Sequence, residues 1–344
     1  MNNILLYVVI VTIVASLFFD VLNGFHDAAN SIATVVSTKV LSPKYAVLWA
    51  AFFNIAAMFV FSPKVANAIS KIIDIHPADH AFIFVIFSGL LGAIIWDLIT
   101  WWWGLPTSSS HALIGGLTGA GVAYKGFKII NWRVVNETMA FIPLAPIIGL
   151  VLAFFIMLAV YWGFRKWRPH SVDKVFRKGQ LVSAAMYSLG HGGNDSQKTM
   201  GIILAVLIAF GVFSPDKSLH LNDGPSLLII SGCYLAMGIG TALGGWKIVK
   251  TMGMKLTKLK PVHGFCAETA GAFTIYLATH LGIPVSTTHT IAGSIVGVGL
   301  TGNVSGIKWK IATRIVISWI VTIPFSALVS AITFWIIQFF HPGF

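Results

Sequence analysis

The chain has 344 residues, of which 56% are hydrophobic and 10% charged, and it carries a net charge of +12 at pH 7. Soluble domains carry about a quarter charged residues, so this chain cannot clothe a water-facing surface, and neither a soluble enzyme nor a nucleic-acid-binding module fits. The positive charge lies between apolar stretches, where the positive-inside bias of membrane proteins accounts for it.

Met1 to Phe19 is apolar, with neither a basic start nor a small-residue cleavage site, and reads as a first membrane segment rather than a removed signal. Gly24-Phe-His-Asp27-Ala-Ala-Asn30 follows within the same apolar region. A carboxylate at mid-membrane costs ~2.5–3.5 kcal/mol, so Asp27 is expected to be paired, hydrated or used. Asn23 and Gly24 predict a break in the helix, because both tolerate unusual backbone angles. Asp20 is expected near a helix end or facing a cavity. Lys39 and Lys44 come next, then the apolar stretches Ala46 to Phe61 and Ala81 to Trp103, each close to the ~20 residues that cross a bilayer. Asp97 lies in the second of these.

Gly104-Leu-Pro-Thr-Ser-Ser-Ser-His111 then interrupts the pattern. Pro106 favours a helix start, and Ser108, Ser109 and Ser110 offer hydroxyls that both donate and accept, which suits a tetrahedral oxyanion of variable protonation. After Phe141 to Tyr161 comes the largest basic cluster, Arg165, Lys166, Arg168, Lys174, Arg177 and Lys178. It predicts a cytoplasmic linker over residues 165–179 between a first repeat, 1–164, and a second, 180–344.

The second half repeats the first. Gly192-Gly-Asn-Asp195-Ser-Gln-Lys198 answers the Asp27 motif, preceded by Gly190-His191, where a second broken helix is expected. Gly282-Ile-Pro-Val-Ser-Thr-Thr-His289 answers the Ser run, with Gly115, Gly119 and Gly121 matching Gly293, Gly297 and Gly299 without a gap. Placing Lys247 to Lys260 and Lys308 to Arg314 in the cytoplasm, together with Lys39 and Lys44, makes the halves enter the membrane in opposite directions and leaves both termini outside. Lys125, Lys128 and Arg133 then fall outside, against the charge rule. The fold expected is an all-α integral membrane protein of two inverted-topology repeats, with broken helices, Pro/Ser-containing re-entrant or half-helix segments and about ten to twelve membrane segments. Asp27 and Asp195 are expected to meet at a midplane site.

Cys233 and Cys266 are expected to be buried thiols. Glu268, in an apolar helix, and Asp97 are candidates for a coupling path, with local structural pairing the alternative. For His26, His111, His191 and His289, packing or capping and proton handling both stand open. No catalytic motif and no resident metal site is expected.

These motifs together resemble the inorganic phosphate transporter (PiT) family, and closely its bacterial low-affinity members. The match covers both halves: Asn23 to Ser31, Trp103 to His111, Gly192 to Lys198 and Pro284 to His289. The resemblance implies an ion-coupled secondary transporter importing phosphate, free or as metal-phosphate, across the plasma membrane (the bacterial inner membrane) by alternating access. It also implies a homodimer and no cofactor beyond co-transported H+ or Na+. Asp27, Asn30, Ser108, Ser109, Ser110, Asn194, Asp195, Lys198, Ser286, Thr287 and Thr288 would bind the anion. Asn23, Asp27, Asn30, Asn194, Asp195 and Glu268 would hold the coupling ion. Lys198 stands where many sodium-coupled members repeat an Asn, so its ammonium is expected to replace one cation. A sulfate permease on the same fold is the alternative, against which both Asp motifs argue.

Overall fold

The computed structural model describes residues 2–74, 80–302 and 304–341. Met1 and Phe344, on which the expected sidedness of the termini falls, lie outside them. The described chain forms helices α1 (Asn2–Ser37), α2 (Pro43–Ala56), α3 (Lys64–Ile69), α4 (Ala81–Trp103), α5 (Ser109–Lys125) and α6 (Trp132–Phe164). It continues through α7 (Pro169–Ala209), α8 (Gly224–Leu243), α9 (Trp246–Val249), α10 (Pro261–Leu281), α11 (Thr287–Leu300) and α12 (Trp309–Phe340). Five helices, α1, α4, α6, α8 and α12, are long and apolar enough to cross a membrane.

The order of elements in α1–α6 returns in α7–α12, and the contacts return with it. A Cβ on Gly104 would lie 3.5 Å from the Lys247 Cβ, and one on Gly282 would lie 3.4 Å from the Lys64 Cβ. Gly119 faces the Ala327 carbonyl and Gly297 the Leu150 carbonyl, each so closely that an added Cβ would sit 2.2 Å from the oxygen. Small residues let membrane helices approach to backbone contact. Thus α5 packs on α12 and α11 on α6, the short helix of each half against the last helix of the other. This arrangement is compatible with the two-repeat reading.

The expected half-helices are present. Gly104 ends α4 at φ +65° and Gly282 ends α10 at φ +76°, left-handed positions that glycine adopts without strain. Extended residues follow, and Ser108 and Ser286 then cap α5 and α11 by accepting from the His111 and His289 amides. The caps are these serines, two residues beyond Pro106 and Pro284.

The breaks expected at the Asp motifs do not occur. The 36-residue α1 runs through Asn23 and Gly24, and the 41-residue α7 runs through Gly190 to Gly193. These glycines serve close packing instead: an added Cβ would lie 2.3 Å from the Met237 carbonyl at Gly24 and 2.4 Å from the Asn54 carbonyl at Gly192. Asp20 is correspondingly mid-helix rather than near an end. Within the basic stretch 165–179, α7 begins at Pro169. Cys233 and Cys266 are free and buried, as their surroundings suggested.

Candidate functional site

Asp27 on α1 and Asp195 on α7 meet in the centre of the molecule, 2% and 0% exposed. With His191 they bring one ligand atom each to within 4.8 Å of one another. Helical spacing supplies the rest. Asn30 stands three residues after Asp27, Lys198 three after Asp195, and His191 four before it, so each pair shares a helix face.

The first half-helices meet the carboxylates through hydroxyls. Ser109 Oγ lies 2.5 Å from Asn23 Oδ1 and 3.3 Å from Asp27 Oδ2, its one proton serving either. In the second half, Thr287 Oγ1 donates to Asp195 Oδ2 at 3.1 Å. Thr288 Oγ1 crosses between the halves to Asp27 Oδ1 at 3.4 Å. Asn30 Nδ2 donates to Thr288 Oγ1 at 2.8 Å and reaches Thr287 Oγ1 at 3.3 Å, again across the halves. Lys198 mirrors it. Its buried ammonium donates to Asp195 Oδ1, to Ser110 Oγ and, at 3.0 Å, to the Val285 carbonyl. All three ammonium protons are therefore used.

Histidines back both carboxylates. His26 Nδ1 lies 2.9 Å from Asp27 Oδ1, while its Nε2 faces Thr100 Oγ1 at 3.2 Å. His191 Nε2 lies 3.2 Å from Asp195 Oδ2, and its Nδ1 lies 3.1 Å from Asn54 Oδ1. The first-turn amides of α5 and α11 have no carbonyl within their own helices to bond, and the positive ends of both helix dipoles point to this cluster. Hydroxyls, free amides and two helix N-termini suit an oxyanion, whereas Asp27, His191 and Asp195 offer ligand atoms to a cation.

Not every expected residue takes part in the same way. Ser108 and Ser286 spend their acceptor capacity on the caps. Asn194 pins the second break: its Nδ2 donates to Thr279 Oγ1 at 2.9 Å and its Oδ1 accepts from the Val285 amide at 3.2 Å. Glu268 sits in another cluster, accepting from Gln180 Nε2 at 2.9 Å and from Ser183 Oγ, with Thr38 Oγ1 donating to Gln180 at 2.8 Å. Asp97 is 0% exposed and, among the described residues, neither of its carboxylate oxygens has a hydrogen-bond partner. His111 and His289 lie ring to ring with centroids 4.6 Å apart, and His289 stacks on Trp319 at 3.8 Å.

One feature was missed in the sequence. Thr12, Ser16, Asp20, Asn23, Asp27, Asn30 and Thr34 are all buried, and their spacing of three and four places them on one face of α1, with buried Thr38 just beyond its end. They form a polar stripe along the helix that ends near the Glu268 cluster. Scanning the first apolar segment for a 3.6-residue period of polar rather than apolar residues would have found it.

The model of the Phosphate transporter family matches residues 23–330. The chain is 52% identical over 323 residues to a protein of Rhizobium meliloti named "Probable low-affinity inorganic phosphate transporter", covering 94% of each chain. A Bacillus subtilis protein of the same name is 43% identical over 337 residues, covering 98% of this chain and 99% of its own. A solved structure described as "The sodium-dependent phosphate transporter" shares the fold with a TM-score of 0.84 at 24% identity, covering 97% of this chain and 99% of that one.

Proposed function

Because this chain belongs to the phosphate transporter family, we propose that it is a secondary active carrier importing inorganic phosphate, free or as metal-phosphate, across the bacterial inner membrane with a proton. It is a multi-pass membrane protein of a family of transporters, not enzymes. The observation that carries the reading is the meeting of Asp27 and Asp195, one from each half, in a single buried cluster faced by α5 and α11. With the histidines neutral, the charges of Asp27, Asp195 and Lys198 leave that cluster one negative charge in excess. An anion joins such a site only with a cation, which makes transport coupled.

Lys198 favours the proton over sodium. It occupies the place that Asn30 holds in the first half, so a fixed ammonium supplies a positive charge that a bound sodium ion would otherwise bring. The anion would be held by Asn30, Lys198, Ser109, Ser110, Thr287 and Thr288 beneath the two helix N-termini. Asp27, His191 and Asp195 would hold the metal of a metal-phosphate. Asn23 and Asn194 would set the positions of these groups. Alternating access would shift one half against the other around this centre. The basic stretches would face the cytoplasm, with both termini outside and two copies forming a homodimer; labelling of single cysteines from either side and mass measurement in detergent check those points.

The deciding experiment is phosphate uptake by purified protein in proteoliposomes, with pH and sodium gradients imposed separately. Accumulation driven by the pH gradient supports the reading, and strict dependence on sodium overturns the choice of proton. No accumulation under either gradient overturns the carrier itself.

A further inference from the structure

Two turns toward the amino terminus from Asp27, the polar stripe of α1 carries a second acidic group, Asp20. It is 0% exposed, and among the described residues the Thr199 hydroxyl beside it is the one side-chain donor its carboxylate meets. The groups around it are Thr199, Asp195 and Lys198 of α7 and Cys233 and Tyr234 of α8. The Thr199 hydroxyl faces Asp20, and the Tyr234 hydroxyl faces Gln197. Asp97 of α4 faces His26 and Asp27 instead.

A carboxylate in this position is kept only if something neutralises it, because an unpaired charge in an apolar interior is strongly disfavoured. Hard metal cations ask for about six oxygen ligands. Among the described residues the side-chain oxygens grouped here, beyond the Asp195 pair held by Lys198, are those of Asp20, Thr199 and Tyr234, fewer than such a cation asks for, and an ammonium stands close by. A proton needs a single oxygen.

Resting on the carrier reading above, we propose that Asp20 is the proton-binding carboxylate of the symport, taking up one proton from water with each phosphate and returning it to water on the other side. The charge count gives the coupling. Asp20, Asp27, Asp195 and Lys198 together carry two negative charges when all are ionised, and one once Asp20 binds a proton. An ionised Asp20 also competes with Asp195 for the Lys198 ammonium, whereas a protonated one leaves Lys198 to Asp195 and Ser110. The approaching anion therefore meets one negative charge fewer after protonation, and by linkage bound phosphate strengthens proton binding in return.

Asp20→Asn keeps the shape and mimics the protonated state. One proton carried per phosphate multiplies accumulation by ~10 for each unit of pH gradient in the wild type. The variant is expected to continue exchanging labelled for unlabelled phosphate while the pH gradient multiplies its accumulation by only ~1. Accumulation in Asp20→Asn that still follows the pH gradient overturns the proposal. Loss of exchange as well would make Asp20 structural and overturns it too. A second measurement needs no variant. Dicyclohexylcarbodiimide, which modifies protonated carboxyls in apolar surroundings, is expected to label Asp20 of the intact protein more as pH falls, read by peptide mass spectrometry, and no adduct there at any pH counts against the site. Wild-type protein that accumulates phosphate under sodium alone removes this proton site but leaves the carrier standing, whereas no accumulation under either gradient removes both.

Discussion

Lys198 does in the second half what Asn30 does in the first: its ammonium donates to the Ser110 hydroxyl of the opposite half, as Asn30 Nδ2 donates to Thr288 at 2.8 Å. The equivalence breaks at one point, because Lys198 also pairs with its own carboxylate, Asp195, while Asn30 brings no charge to Asp27. The two carboxylates are thereby made unequal, one neutralised by the chain and the other left for what arrives from water.

Substituting Lys198→Asn would restore that equality. Breaking a buried ion pair costs ~3–5 kcal/mol when nothing takes its place, and a sodium ion can take this one. Uptake driven by the pH gradient is expected to fall by at least ~10-fold, roughly 1.4 kcal/mol, and to recover partly when sodium is added. The check is initial uptake at fixed pH against sodium concentration. A variant that stays proton-driven and indifferent to sodium would show that the ammonium does not stand in for a cation.

Asp27 bears on the choice between phosphate and sulfate. Phosphate keeps a proton near neutral pH and can donate it to a carboxylate in a short charge-assisted bond, whereas sulfate has none to give and meets repulsion. Asp27→Asn replaces one acceptor oxygen with a donor, so discrimination is expected to shrink by ~10-fold, the effect of roughly 1.4 kcal/mol. Competition by sulfate for labelled phosphate uptake measures it. Unchanged preference would withdraw this role from Asp27.

The residues that carry the site were legible because they are expensive or repeated. A carboxylate inside an apolar run has to be explained, and Asp27 and Asp195, with His191, bring ligand atoms to within 4.8 Å of one another. The two Gly-x-Pro stretches announced half-helices through residues with few other uses. Glycine beside a carboxylate was ambiguous, since the same residue serves an open turn or a close approach. Gly24 and Gly192 took the second use because Met237 and Asn54 carbonyls, distant in sequence, pack against them. Long-range partners hid two further facts for the same reason. Asn194 pins the break at Val285, and Glu268 answers to Gln180 and Ser183 rather than to the aspartates.

The close approach of the halves can be tested on its own. An added methyl at Gly119 or Gly297 would lie 2.2 Å from a backbone carbonyl oxygen on the last helix of the other half. Backbone cannot step aside as a side chain can, so Gly119→Ala and Gly297→Ala are each expected to destabilise by ~1–3 kcal/mol. Gly163, in α6, has nothing within 4 Å of its would-be Cβ. Gly163→Ala is expected to be neutral or to stabilise by ~0.5–1 kcal/mol through helix propensity. Thermal unfolding in detergent, followed by fluorescence, compares the three; equal stability of all three would mean that the halves do not touch at these glycines.

Asp223 offers a pH test away from the membrane-spanning helices. It precedes α8, and its Oδ2 accepts from Lys217 Nζ at 2.5 Å and from Ser226 Oγ at 2.6 Å. The hydrogen bond from Lys217, with that from Ser226, holds its carboxyl below the usual carboxylate range. The folded state thus binds a proton less readily than the unfolded chain, whose Asp titrates at about 3.9. Its contribution is complete above that value and is lost as pH falls through the lower folded one. Asp223→Asn is therefore expected to melt slightly below the wild type at neutral pH, with the gap closing through the acid range and gone once Asp223 is protonated in both states. The pair is partly open to solvent, so salt should narrow the gap at neutral pH as well. A difference that persists unchanged in acid would instead assign the effect to the geometry of the α8 start, independent of charge.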